Sequence, residues 1–396
     1  MRKDWKYSNF SEIYPIEMGR TPARADNSLW DKKKETHNLW VSIADISHNE
    51  GRYITDTEEY VSDKASSKMR LVAKGSLLMS FKLTIGKMAF AGDDLFTNEA
   101  IIAIPDNGKY NLRFLYYYLS NYNWSTLTDG AEKVKGKTLN KTSIGKILLP
   151  IISLSEQERI VSLLDEQFAK IDALKANAAS QLQAAKDLFQ SALKQLLTPQ
   201  EGWEMKTLDE ISNDMFRGSG ITRDQITNDG ISCVRYGEIY TTYNYWFNKC
   251  KSHTDESKIK SPKYFENGDI LFTITGESVE DIAKCVAYLG VEKCLAGGDI
   301  VVMKHNQNAK YLSYALSTPD AIKQKGLGKT KLKVVHSNIP SIKSIVVPIP
   351  SLPEQERIAA RLDTISEKVK ALQANYDQTI TLCNDLKQSL LKSIFA

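Results

Sequence analysis

The chain repeats itself. Pro150-Ile151-Ile152-Ser153-Leu154-Ser155-Glu156-Gln157-Glu158-Arg159-Ile160 returns as Pro348-Ile349-Pro350-Ser351-Leu352-Pro353-Glu354-Gln355-Glu356-Arg357-Ile358, 198 residues later in a chain of 396. The correspondence continues to Leu197 and Phe395. Fainter matches at the same spacing pair Trp5 with Trp203, Glu12-Ile13 with Glu210-Ile211, and Asn140 with Asn338. The whole half is therefore duplicated, not one segment of it. Two similar halves predict a pseudo-twofold arrangement. Such an arrangement suits a bipartite target, and the commonest bipartite polymer in a cell is duplex DNA.

Each half has the same internal order. A region of short apolar runs broken by Gly, Asn, Asp and Pro comes first, and one long helical segment follows. The expected fold class is α+β, with variable mixed α/β domains at 1–149 and 199–347 and long helices at 150–198 and 348–396. Leu77-Leu78-Met79-Ser80-Phe81, Ile101-Ile102-Ala103-Ile104 and Asp299-Ile300-Val301-Val302 read as buried strands. Leu112 to Leu119 and Tyr311 to Leu316 read as amphipathic helices. In the long segments apolar or bulky residues recur every seven positions. The first series is Leu164, Ile171, Ala178, Ala185, Ala192, with Leu174 and Leu188 in the other core position. The second is Leu362, Val369, Tyr376, Cys383, Leu390, with Ile365, Leu372 and Leu386. That pattern predicts coiled-coil helices about 60 Å long at ~1.5 Å per residue. Ser153 and Ser351 stand three residues before Glu156 and Glu354, a capping-box pattern at each helix start.

Composition narrows the function. The chain is 42% hydrophobic and 25% charged, with net charge +4 and a pI near 8.5, which permits nucleic-acid binding. No apolar run is long enough to span a membrane, and Met1-Arg2-Lys3-Asp4-Trp5-Lys6 lacks the apolar core of a signal peptide. The five cysteines form no Cys-x-x-Cys pair, which fits a reducing cytoplasm. No catalytic motif stands out. Gly326-Leu327-Gly328-Lys329-Thr330 has the end of a phosphate-binding loop, but Lys323 occupies the position of its first glycine. His37, His48, His253, His305 and His336 lack metal-ligand spacing. No Asn-Pro-Pro-aromatic or Asp-Pro-Pro-aromatic methyltransferase motif occurs, and no Gly-x-Ser-x-Gly or His-Glu-x-x-His.

Basic loops carry more. Just before each long helix lie Lys133 to Lys141 and Lys323 to Lys333, where Lys135, Lys137, Thr138, Lys325, Lys329 and Thr330 suit phosphate contact. Near the start of each half lie Gly19-Arg20-Thr21-Pro22-Ala23-Arg24 and Arg217-Gly218-Ser219-Gly220-Ile221-Thr222-Arg223. There Arg20, Thr21, Arg24, Arg217, Ser219 and Arg223 are the candidates for DNA contact, because arginine on a glycine turn can reach a guanine edge.

The doubled Pro-Ile-x-x-Leu-x-Glu-Gln-Glu-Arg-Ile, each copy followed by a long helix and preceded by a variable domain, resembles the specificity subunit of type I restriction–modification systems. Gly19-Arg20-Thr21-Pro22 is similar to a Gly-x-Thr-Pro turn early in that family's target recognition domains; the second half departs from it with Gly218-Ser219-Gly220-Ile221. The resemblance implies two target recognition domains, each reading one half of a split DNA site, and antiparallel helices that act as a spacer. It implies docking of two modification subunits that carry S-adenosylmethionine and methylate adenine, together with restriction subunits. The chain itself would be non-catalytic and hold no cofactor. Glu156, Gln157, Glu158, Arg159, Glu354, Gln355, Glu356 and Arg357 would lie near the modification subunit. Two readings compete: a restriction endonuclease with duplicated domains, which predicts a repeated acid-acid-lysine cluster that is not seen, and a coiled-coil scaffold with no DNA role.

Overall fold

Two helices of 44 residues each, Leu154–Leu197 and Leu352–Phe395, are the longest elements of the protein. The structure, a computed structural model, describes residues 2, 4–127, 139–276, 278, 281–327 and 335–395. It divides into two units. One is Met1–Asn177 with Gln378–Ala396, and the other is Ala178–Asp377. Each unit therefore holds one variable domain, the start of one long helix and the end of the other.

In the first unit Lys6–Asn9 pairs antiparallel with Leu148–Ile151, which closes the domain just before the central helix. A four-stranded mixed sheet runs in the order Tyr53–Ile54, Met88–Ala91, Leu77–Ser80, Ile101–Ile104. A three-stranded sheet orders Glu59–Tyr60, Leu39–Val41, Phe96–Thr97. The second unit repeats the plan with more strands. Glu204–Thr207 pairs with Val346–Ile349. One five-stranded sheet orders Ser212–Arg217, Ile300–His305, Ile270–Thr273, Cys285–Tyr288, Trp246–Phe247. The other orders Ile226–Thr227, Ser252–Thr254, Ile231–Val234, Cys294–Ala296, Tyr264–Phe265.

The closing ladders share one register: Lys6 faces Ile151 and Glu204 faces Ile349, each pair 198 residues from its counterpart. The faint sequence matches also acquire reasons. Glu12 and Glu210 close capping boxes on Asn9 and Thr207. Asn140 and Asn338 cap short helices by accepting the Ser143 and Ser341 N–H groups at 2.8 and 2.9 Å. Trp5 and Trp203 pack against the cores of their own units. What recurs between the halves is thus largely frame.

The apolar face of each long helix is divided between the partner helix and a variable domain. In the first unit Ile160 and Leu164, with Leu391 and Phe395 from the other helix, join the core around Phe10, Phe114 and Leu115. In the second unit Phe189, Leu193, Leu197, Ile358 and Leu362 do the same around Tyr311 and Leu312. Lys387 reaches Asp172 and Lys175 reaches Asn384, both at 2.6 Å; the partner falls as the position rises, so the helices run antiparallel there. The heptad series holds at Leu164, Ile171, Leu362 and Cys383, which are buried. It does not hold for Leu174, Leu188 and Leu386: Leu174 and Leu188 are 57% and 63% exposed, and Leu386 is also exposed. A lone helix pair offers one seam, so these three positions of the second series face outward, whereas Ile365 of the same series packs against the second unit's core.

The amphipathic helices Leu112–Ser120 and Ala309–Ala315 dock each variable domain onto a long helix through the same polar contacts. Gln157 is fully buried. Its Oε1 accepts the Asn111 N–H at 2.8 Å, and its Nε2 donates to the Lys109 and Ile152 carbonyls at 3.2 and 3.1 Å. Gln355, also fully buried, accepts the Asn308 N–H at 2.9 Å and donates to Gln307 Oε1 and the Pro350 carbonyl. Two turns on, Asp165 accepts from Arg113 at 2.8 Å and from the Tyr117 hydroxyl. Asp363 accepts from the Tyr314 hydroxyl at 2.7 Å, from Trp246 Nε1 at 3.0 Å and from Lys310.

Replacing Gln157 by Ala strands one backbone donor and two carbonyls, and a buried unsatisfied polar group costs about 1–3 kcal/mol. Q157A should destabilise the first unit by about 2–4 kcal/mol, and Q355A the second by a similar amount. Q157E should not rescue, because a carboxylate cannot donate to the two carbonyls. Denaturant unfolding, followed by amide exchange assigned to each unit, checks this. Unchanged midpoints would show that the glutamines do not fasten the domains.

Candidate nucleic-acid interface

In each unit a buried strand ends on a residue that caps a short helix, and an acid at the third helical position accepts the cap's backbone N–H. In the first unit the strand Leu39–Val41 leads to Ser42, whose N–H goes to Asp45 at 2.8 Å. In the second, Ile231–Val234 leads to Arg235, whose N–H goes to Glu238 at 2.9 Å. A second strand runs parallel beside each: Trp40 and Val41 face Phe96 and Thr97, while Cys233 and Val234 face Leu295 and Ala296.

The two glycine loops sit at the same place on this scaffold. The Arg20 N–H donates to the Thr97 carbonyl at 2.8 Å, and the Ser219 N–H to the Ala296 carbonyl at 2.7 Å. A Cβ at Gly19 would overlap the Thr97 carbonyl, and one at Gly218 the Gly297 carbonyl, so only glycine permits the approach. Arg20 and Ser219, from loops that differ in sequence, are therefore structural counterparts.

The structure sorts the candidates sharply. Arg20 and Arg223 are exposed, and among the described residues no hydrogen bond or ion pair engages either side chain. Arg24 lies 4.2 Å from the Trp30 ring centroid and 4.9 Å from that of Trp40, and it pairs with Glu59. Thr21 donates to the Glu99 carboxylate. Arg217 is held by the Gly298 carbonyl and by Asp299 at 2.9 Å. Ser219 is corrected as a contact residue. It is 4% exposed, and its hydroxyl donates to the Ser261 carbonyl at 3.1 Å while accepting the Lys263 N–H at 2.7 Å. Lys325 is corrected likewise: it is 6% exposed, with Nζ 3.6 Å from Cys285 Sγ. Burial pushes the Cys285 thiol up. Lys135, Lys137, Thr138, Lys329 and Thr330 lie outside the described residues.

The repeated Glu-Gln-Glu-Arg segment divides too. Gln157 and Gln355 are buried and fully engaged, so they offer a partner nothing; this corrects their assignment to a docking surface. Arg159 pairs with Glu156 at 2.7 Å and Arg357 with Glu354 at 2.6 Å along the helix surface. The Glu156 carboxylate therefore serves Arg159, while Ser153 Oγ still accepts the Glu156 N–H at 3.3 Å. These ion pairs hold Glu156 and Glu354 below the usual carboxylate range. Glu158 and Glu356 are exposed.

Sequence reasoning missed Arg235, Tyr236 and Lys251. Together with Arg223 they line an open polar cleft of about 600 Å³ in the second unit. The usable signal was local: a buried apolar strand, then a basic and an aromatic residue, then an acid at helical spacing. Among the described residues no cluster of His, Cys, Asp or Glu is placed to hold a metal ion, and no helix is long and apolar enough to cross a membrane.

Comparison with known proteins agrees with this architecture. The chain is 26% identical over 330 residues to the type I restriction enzyme EcoBI specificity subunit of Escherichia coli, covering 72% of this chain and 65% of that protein. It is 25% identical over 169 residues to the MjaIX specificity subunit of Methanocaldococcus jannaschii, covering 41% and 37%. The aligned chain thus spans less than two thirds of either relative. Its fold is similar to a chain in a structure described as the basis of complex assembly and conformational transition of the type I R-M system, at a TM-score of 0.72, 16% identity and coverage of 100% and 98%. It is also similar to the HsdS subunit of Thermoanaerobacter tengcongensis, at a TM-score of 0.56, 16% identity and coverage of 100% and 97%. A family model for the type I restriction modification DNA specificity domain matches residues 2–184 and again 200–382, so the chain belongs to that family and carries two copies of its domain.

Proposed function

We propose that this chain is the non-catalytic specificity subunit of a type I restriction–modification complex in the cytoplasm. Each variable domain reads one half of a split duplex DNA site, and the chain directs adenine methylation by two modification subunits and cleavage by restriction subunits. One observation carries this reading: the frame repeats in register while the loops it presents have diverged, as at Arg20 against Ser219 and Ser42 against Arg235. A repeated frame with different loops is what two unlike half-sites require. In the first unit the exposed Leu163 lies five residues along the central helix from the exposed Glu158, and the two would belong to the surface that a modification subunit meets. S-adenosylmethionine would sit on those subunits, not here.

The two loop arginines should separate. R20A should relax one position of one half-site, weakening binding there about five- to hundredfold, with no change in stability, because among the described residues the Arg20 side chain holds no partner. R24A should chiefly cost stability, about 1–2 kcal/mol, through the lost contacts to Trp30 and Trp40. Thermal unfolding beside binding to the selected duplex checks both. Equal effects on both measurements would remove the loop from the interface.

The long helices should fix the gap between half-sites. Inserting four residues after Ala176 and after Ala374 adds about 6 Å, against ~3.4 Å per base pair. Mapping of methylated sites should show the same half-sites with the gap moved by one or two base pairs. An unchanged gap would remove the helices from the role of ruler.

A further inference from the structure

The cleft beside Arg235 carries an assignment of its own. It is lined by Arg223, Arg235, Tyr236, Glu238, Lys251 and Asp299, among others. Its two acids are already engaged. Glu238 accepts the Arg235 N–H and the Ser252 hydroxyl. Asp299 holds Arg217 at 2.9 Å. Among the described residues its three cations are not: no ion pair reaches Arg223, Arg235 or Lys251.

Arg235 is the unusual one. Its Nε is shut away from solvent and has no hydrogen-bond partner; among the described residues the only other such side-chain atom is His305 Nε2. A buried guanidinium nitrogen without an acceptor is unfavourable in the free protein, so nothing locks this pose, and a turn of the guanidinium toward the cleft would let an incoming acceptor relieve it. Beside it Tyr236 is 40% exposed, an aromatic ring at the mouth of a basic cleft.

The first unit supplies the contrast. At the corresponding point, after the equivalent strand and before the equivalent helix, stands Ser42. Its hydroxyl turns inward to the Asp45 carboxylate at 2.6 Å and offers nothing outward. The same scaffold thus presents a satisfied serine in one half and an unsatisfied arginine in the other.

We propose that Arg235 reads a base in the second half-site, taking the O6 and N7 acceptors of a guanine in the major groove, with Arg223 and Lys251 on the flanking phosphates. Guanine is the base edge that offers two acceptors to a guanidinium fork. The assignment rests on the DNA-reading function proposed above. It adds which residue discriminates in the second domain, and where.

The test uses the full-length protein and a pool of random duplexes, with bound sequences selected by the wild type and by R235A, R235K and K251A. For R235A, the first half-site and the gap should be retained, and the guanine preference at one position of the second half-site should be lost. Affinity for the wild-type site should fall about five- to hundredfold. The midpoint of thermal unfolding should not fall, since R235A removes a buried nitrogen that has no acceptor and breaks no side-chain hydrogen bond or ion pair among the described residues. R235K keeps the charge without the fork and should not restore the preference. K251A should weaken all sequences alike and lower the salt slope by about one.

The proposal is overturned if R235A selects the wild-type second half-site, if its loss is uniform over sequence, or if R235K restores the full preference. If the wild type selects no sequence, the DNA-reading function falls and takes this assignment with it. If the wild type selects a split site that R235A reproduces, only the assignment falls.

Discussion

A buried glutamine fastens each variable domain to its helix, and the rest of the molecule depends on that contact. Gln157 and Gln355 each satisfy a backbone donor at the cap of the docking helix and a carbonyl at the end of the closing strand. Both the amide donor and the amide acceptor are used, so neither a hydrocarbon nor a carboxylate of similar size can substitute. An aspartate two turns on adds a second fixed point in each half. Two points on one rigid helix define an orientation where one would leave a pivot. The base reading proposed for these loops would need such an orientation.

The same logic explains why some residues recur and others do not. The ladder partners, the capping acids, the cap asparagines and the glutamines all satisfy backbone groups that the fold would otherwise bury unpaired. They cannot drift without cost. Among the described residues the side chains of Arg20, Arg223 and Arg235 hold no hydrogen-bond or ion-pair partner, so they can change without disturbing the fold. Ser219, set where Arg20 stands in the other half, has instead been folded into the core hydrogen-bond network. The halves therefore need not use the same position for the same task.

The repeat, the two long helices, the α+β class and the strands at Leu77–Ser80, Ile101–Ile104 and Ile300–His305 were legible in the sequence, because periodicity and duplication are themselves sequence patterns. The glycines at 19 and 218 were legible as turns, though not as close approaches to a neighbouring strand. The burial of Gln157, Ser219 and Lys325 was not legible. All three are polar residues in polar surroundings, and only the tertiary contacts turn them inward. Leu174 and Leu188 show the converse, since a heptad pattern cannot say whether a second helix is present to cover each side. Arg235 was hidden because its significance lies in a missing partner, which no linear pattern records.

If two fastened domains on one repeated frame read two unlike half-sites, the unaltered chain in complex with its modification subunits should select a split sequence from a pool of random duplexes. The bound duplexes should then carry two short blocks of fixed sequence, different from each other and separated by a constant unread gap. A single continuous block, two blocks at variable spacing, or no enrichment would show that the domains do not read DNA in this way.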